Sequence, residues 1–267
     1  MNILGKETII VVPYHNSGQI QKFCAQWGVA DMDKDTLTLF YHDSAGYGCA
    51  KTKNSAVKEA VENHNAEIVV ILDDDCYPVP SSGMNLAKFA EAHVKNLITP
   101  CPVEMFAKIT NPSSRGTPRF TCAKNYPPAA SIGFWRGSGD FSAVDDLASV
   151  KGSMLGFTMK SIFGQYFALS GMNIAFRPKD WLPWCQFIDV PRYDDIWMGL
   201  LFQKEAYRRG FCFSFTGPEV FHDKQSNLFA NLRHETQWLE ENETLWLKIM
   251  SASSDYGYET LRSLLPC

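Results

Sequence analysis

Little in this 267-residue sequence points to a membrane, a zinc cluster or a nucleic-acid backbone. No apolar run approaches the ~20 residues needed to cross a bilayer as a helix. The first residues hold one lysine and pass directly into an apolar strand, without the pattern of a signal peptide. The eight cysteines include no CxxC pair, so they read as scattered buried thiols of a reducing compartment, and a cytoplasmic location is expected. Twenty-five Lys and Arg against 29 Asp and Glu leave a net charge of -4, which lacks the basic excess of a non-specific nucleic-acid binder. Internal repeats, low-complexity blocks and a visible second domain are also missing. What remains is 45% hydrophobic and 20% charged, enough to build a substantial globular core.

The order of elements predicts an α/β unit. Thr8 to Pro13 reads as a strand, and Ser17 as the cap of a helix running to about Trp27. Leu37 to Tyr41 is a second strand. Ala50, Ala56, Val57, Ala60 and Val61 recur at helical spacing between Cys49 and His64, with Lys51, Lys53, Asn54 and Lys58 covering the remaining surface. Strand, helix, strand, helix, strand within about 75 residues gives a three-layer unit with right-handed crossovers. Further on, Asn85 to Asn96 reads as a helix, Leu97 to Thr99 as a short strand, and the Pro, Ser and Gly-rich Asn111 to Gly139 as loops over the sheet opening. Tyr166 to Leu169, Ile174 to Phe176 and Phe211 to Phe215 are expected strands, Ile196 to Arg209 a helix, and Gly217-Pro218 a turn. Leu228 to Leu264 is amphipathic, either packing on the sheet or mediating self-association.

The stretch that speaks most directly to chemistry is Ile68 to Leu72, a fully apolar strand that runs straight into Asp73, Asp74 and Asp75. Such a strand is buried on both faces, and ligands of such sheets bind beyond the carboxyl ends of the strands. In extended geometry Asp73 and Asp75 project to one side and Asp74 to the other, so the outer two can share a hard cation such as Mg2+ or Mn2+. A solvated acidic turn is the alternative. His222 follows a strand, and its imidazole either completes a shell begun by two carboxylates, a donor set suited to Mn2+, or is simply solvated or hydrogen-bonded, as lone histidines usually are. Asp43 at a strand end either accepts from a uracil N–H or caps a turn. Asp194 and Asp195 either serve as base and orienting group or cap a helix. Gly171-Met172-Asn173 offers a close backbone approach and an amide, and Trp135, Trp181, Trp184 and Trp197 are aromatic surfaces for a sugar or core residues.

Several blocks in one order carry a family resemblance. They are His42-Asp43-Ser44, the aspartate triad with Cys76, His93-Val94-Lys95-Asn96-Leu97, Gly171-Met172-Asn173-Ile174-Ala175-Phe176, Arg192-Tyr193-Asp194-Asp195-Ile196-Trp197 and His222-Asp223-Lys224 with Ser226-Asn227. In these the chain resembles the reversibly glycosylated polypeptides, whose plant members are UDP-arabinopyranose mutases with a GT-A type glycosyltransferase fold. The resemblance implies an α/β GT-A-type fold with a mostly parallel central sheet flanked by helices. With the amphipathic tail set apart, the expected division is a GT-A-like catalytic domain over residues 1–227 and a helical extension over 228–267. The resemblance places Asp73, Asp75 and His222 on a Mn2+ or Mg2+ ion that holds a UDP-sugar, and Asp194 and Asp195 near the sugar and its acceptor. Tyr14, Asp43, Lys51, Asn54, Asp74, Gly171, Asn173 and Lys224 are the accompanying candidates for donor binding. Arg115, in Arg115-Gly116-Thr117-Pro118, falls on the arginine that becomes reversibly glycosylated.

The family has a second arginine seven residues further, where this chain has Cys122, or Ala123 after a one-residue insertion. The chain is also shorter than the plant proteins. Transfer of a sugar from a UDP donor to an acceptor hydroxyl is therefore preferred over pyranose–furanose interconversion of UDP-arabinose. A non-catalytic UDP-sugar-binding assembly protein is the third reading. The acceptor is open among a glycan, a protein, a small molecule and a hydroxymethylated DNA base, the last requiring base flipping or access to an exposed hydroxymethyl in the groove and supported by a positive rim of Arg115, Arg119, Lys124 and Lys151.

Overall fold

A computed structural model describes residues 1–104, 123–138, 142–143, 147, 161–224 and 227–251. The strands are β1 (Asn2–Ile3), β2 (Lys6–Tyr14), β3 (Thr38–His42), β4 (Ile68–Leu72), β5 (Cys76–Pro78), β6 (Cys101–Glu104), β7 (Ala123–Tyr126), β8 (Pro128–Gly137), β9 (Ser161–Ile162), β10 (Asn173–Phe176) and β11 (Cys212–His222). The helices are α1 (Ser17–Trp27), α2 (Cys49–Glu62), α3 (Leu86–Ile98), α4 (Pro178–Trp181), α5 (Asp194–Arg208) and α6 (Leu228–Ser251). Among the described residues, nine strands form one sheet in the order β1-β2-β4-β10-β8-β11-β5, with β3 beside β2 and β9 beside β11. Parallel pairing joins β3, β2 and β4, and again β8 and β11, whereas β10 enters antiparallel between β4 and β8. β6 and β7 form a separate antiparallel ribbon.

The alternation of β4 explains the layers. Val69 and Ile71 face a core shared with Ala56, Val57 and Ala60 of α2 and Met198 and Phe202 of α5. Ile68, Val70 and Leu72 face the opposite core, with Phe23 and Trp27 of α1 and Phe89 and Val94 of α3. All five β4 side chains are completely buried, each contributing about 1.5–3 kcal/mol by leaving water. The parity continues past the strand, so Asp73 emerges on the α2 side. Helix α6 packs through Leu245 and Ile249 on Tyr193, Trp197 and Leu201, so its apolar stripe covers α5 rather than the sheet.

Several elements depart from the sequence expectation. Asn16, not Ser17, caps α1, its carboxamide oxygen accepting from the N–H groups of Gly18 and Gln19. Leu97 and Ile98 finish α3, and the next strand starts at Cys101. Tyr166 to Leu169 is irregular. The segment expected as loops contains β7 and β8, and Gly217-Pro218 lies inside β11 rather than in a turn. One cause accounts for the last two. A Cβ on Gly133 would lie 2.2 Å from the Pro218 carbonyl oxygen, and one on Gly217 2.6 Å from that of Ile132. Small residues are needed where these strands approach closely, and such composition imitates a loop.

Candidate functional site

Two cavities meet at the aspartate triad. The first, about 510 Å3, is lined by Pro13, Tyr14, His15, Asp43, Gly48 and Thr52 on one side and by the three aspartates on the other. It lies beyond the carboxyl ends of β2, β3 and β4, as parallel strands dictate. Tyr14 stacks on His42, ring centroids 4.9 Å apart, at its rim. Asp43 acts as the turn cap: its two oxygens accept from Tyr47 N at 2.8 Å and Gly48 N at 2.9 Å. Desolvation alone would raise its pKa, but these backbone donors outweigh it and lower it below the usual carboxylate range. Gly48, with φ of 87°, leads this loop into α2.

The second cavity, about 350 Å3, shares Cys49, Lys53, Asp73 and Asp75 with the first. It continues past Trp135, Met172, Arg192, Tyr193, Asp194, Asp195, His222, Lys224 and Glu235. Asp73, Asp75 and His222 thus line one space, with Asp194 and Asp195 across it. His222 closes β11, and its Nδ1 lies 2.9 Å from the Ser138 carbonyl oxygen. A carbonyl only accepts, so Nδ1 carries the proton, and Nε2 is directed at Asp75 Oδ2, 3.4 Å away. Two acceptors facing each other at this distance call for a second ring proton or a cation between them. Asp73 is turned elsewhere: its Oδ1 meets Lys53 Nζ at 2.7 Å. Accordingly, among the described residues no three His, Cys, Asp or Glu side chains converge as a metal cage. A nucleotide-bound Mg2+ or Mn2+ needs only one or two protein ligands, and Asp75 with His222 fits that requirement.

Burial governs the charges here. It raises Asp73, and Lys53 opposes the shift. Burial, with Asp73 and Asp75 as neighbours, pushes Asp74 up to about 7, and Asp74 Oδ2 is buried without a hydrogen-bond partner among the described residues. Asp194 is likewise raised by burial and held down by Lys53. For Lys53 burial works against the charge, yet Asp73, Cys49 and Asp194 keep its pKa well above the ordinary lysine value.

Some expected donor contacts are used in other ways. Lys51 points outward and pairs with Asp189 at 2.6 Å, so it lines neither cavity. Both amide atoms of Asn54 clasp the Phe187 backbone, Nδ2 donating to the carbonyl and Oδ1 accepting from the N–H, each at 2.8 Å. Asn173 is buried, bonded to His93 Nε2 and to the Pro218 carbonyl, and so is committed to the core. Gly171 is a glycine because Phe187 leaves no room for a side chain; its N–H donates to Asp195 Oδ2 at 2.9 Å. Of the tryptophans, Trp135 lines the second cavity, whereas Trp181 and Trp197 are core residues. Lys124 lies over the Tyr126 ring on β7, while Arg115, Arg119, Cys122 and Lys151 fall outside the described residues.

Three residues of the site were missed. Lys53 is 3% exposed, and its place in the stripe Ala50, Lys53, Ala56, Val57, Ala60 is itself the signal that it faces inward. Arg192 adopts φ of 70° ahead of α5, and its Nε pairs at 2.9 Å with Glu235, which α6 delivers and which also accepts from Ala143 N.

The chain is 27% identical over 190 residues to a probable UDP-arabinopyranose mutase 1 of Pisum sativum, spanning 65% of this chain and 52% of that protein. It is equally 27% identical over 191 residues to UDP-arabinopyranose mutase 1 of Arabidopsis thaliana, spanning 65% and 53%. The chain therefore spans about half the length of the curated relatives it matches. A solved mannosyltransferase of Pyrobaculum calidifontis, in complex with GDP-Man and Mn2+, aligns with 97% of this chain and 79% of its own at 13% identity. Its TM-score is 0.42, a remote likeness from which no residue role is transferred. The family profile described as Reversibly glycosylated polypeptide matches residues 63–251, well over half of the 267 residues, and the chain belongs to that family.

Proposed function

We propose that this chain is a UDP-sugar enzyme with a GT-A-type site that binds the donor diphosphate through a divalent cation and acts at the anomeric carbon. The observation that carries this reading is Asp75 Oδ2 facing His222 Nε2 at 3.4 Å where the two cavities join. Asp75 and His222 are the residues that would hold the cation. When bound, it neutralises the diphosphate and so favours its departure from the sugar. The nucleoside occupies the larger cavity beside Tyr14, and the diphosphate turns at the triad. The sugar enters the second cavity, where Trp135 offers a stacking face. Asp195 holds the turn at Gly171 through its backbone N–H, which leaves Asp194 as the carboxylate able to take a proton from an attacking hydroxyl.

Two outcomes fit this site. Transfer to an external hydroxyl is favoured by the missing second arginine, Cys122 standing in its place. Interconversion of UDP-arabinopyranose and its furanose form is supported by the names of the relatives. Incubation with UDP-arabinopyranose and Mn2+, followed by chromatography of the nucleotide sugars, separates them. Furanose isomer without net UDP release identifies the mutase, and UDP release that requires an acceptor identifies the transferase. Calorimetry tests the common basis: UDP is expected to bind at least ~10-fold more tightly with Mn2+, a gain that Asp75→Asn abolishes. Binding of UDP that is indifferent to Mn2+ would remove the cation from the reading.

A further inference from the structure

Lys53 is buried where the two cavities join, and its ammonium has three close neighbours. Nζ lies 2.7 Å from Asp73 Oδ1 and 3.3 Å from the Gly171 carbonyl oxygen, and sits over the Phe187 ring at 5.1 Å from its centroid. These partners are themselves braced. Asn54 clasps the Phe187 backbone from the next position of α2, Asp195 holds the Gly171 N–H, and the Asp73 N–H donates to the Met172 carbonyl at 3.1 Å. Removing the ammonium from such a cage leaves the Asp73 carboxylate, 27% exposed, without its counter-charge. A divalent cation arriving next to Asp73 meets a charge already compensated and a neighbouring positive charge that repels it.

We propose that Lys53 is a positioning residue, the built-in counter-ion of Asp73, so that among the described residues Asp75 and His222 are the pair left to take a divalent cation. This rests on the UDP-sugar reading above and adds to it a division of labour within the triad. The remaining positions around the ion then fall to diphosphate oxygens and water. Metal and nucleotide consequently bind as one unit: either alone is held weakly, and each strengthens the other by the same factor. The first aspartate organises the strand end and the Gly171 turn, while the third engages the ion.

The test is Mn2+ titration of the full chain followed by the electron paramagnetic resonance signal of free Mn2+, with and without UDP. In the wild type UDP is expected to tighten Mn2+ at least ~10-fold. Asp75→Asn should lose ~10-fold or more in the presence of UDP, and Asp73→Asn, which removes no ligand but leaves the Lys53 charge unmatched, should lose clearly less. Lys53→Met releases Asp73 as a third ligand, so Mn2+ without UDP should bind ~10-fold more tightly, and adding Asp73→Asn should cancel that gain. If Lys53→Met does not fold, the Asp73→Asn against Asp75→Asn comparison decides alone. Equal losses in those two variants, or weaker Mn2+ binding in a folded Lys53→Met, would overturn the assignment while leaving the UDP-sugar reading in place. Wild-type protein that binds no Mn2+ with or without UDP would remove both.

Discussion

Replacing Gly171 with alanine tests the link between core packing and the site in one step. Its φ lies outside the left-handed region, so space alone decides the outcome. The added Cβ falls 2.4 Å from Phe187 Cε1, 2.9 Å from its Cζ and 3.1 Å from the Asp195 Cβ. Phe187 is 3% exposed and its backbone is held at both ends by Asn54, so the ring has no room to retreat. Overpacking of this kind costs about 1–3 kcal/mol. At roughly 2–4 °C per kcal/mol for a chain of this size, a 2 kcal/mol loss lowers Tm by about 4–8 °C. The damage is also local, because the Gly171 carbonyl accepts from Lys53 and its N–H donates to Asp195. Mn2+-dependent UDP affinity should therefore fall together with Tm. Phe187→Leu in the same background makes room, and a thermal-melt cycle over the four variants should show coupling of about 1 kcal/mol or more. An unchanged Tm, or strictly additive losses, would refute the packing argument.

Other expectations follow from the same structure. Burial lowers His93 from 6.5 to about 4, and the ring bridges Ser131 and Asn173 as a neutral group. The unfolded chain takes up this proton first, so the contribution of His93 is complete above pH 6.5 and is lost as pH falls toward 4, at most roughly 3 kcal/mol. Urea titrations at several pH values should show that slope, and His93→Gln should flatten it. Glu235→Ala leaves the Arg192 guanidinium and the Ala143 N–H without this carboxylate, an expected loss of about 1–3 kcal/mol by chemical denaturation. Lys51→Ala removes only an exposed ion pair with Asp189, so UDP affinity measured by calorimetry should change less than about 2-fold.

The strand-and-carboxylate run at Ile68 to Asp75 was legible because both signals are local: five apolar residues in succession, then charge. The α2 helix was legible too, but its buried lysine was not, since lysine side chains are assigned to solvent by default. The periodicity that placed Ala50, Ala56, Val57 and Ala60 inside also placed Lys53 there; hydrophobicity and phase disagreed, and phase was right. Asn173 reads as a ligand contact because its amide suits hydroxyls, and Asn54 stands among the donor-binding candidates, yet their partners are backbone groups far away in sequence that no spacing reveals. The loop reading of residues 128–137 failed for a tertiary reason as well, since only the neighbouring β10 and β11 explain why Gly133 must be small.

Glu235 gives the long terminal helix a second office. Its carboxylate joins three stretches of chain that are distant in sequence, the segment at Ala143, the approach to α5 and α6 itself, around the rim of the smaller cavity. Peeling α6 away therefore unlatches one wall of the chamber, and a molecule lodged inside resists the peeling. Amide exchange along that helix becomes a gauge of whether the chamber is filled, readable without observing any reaction.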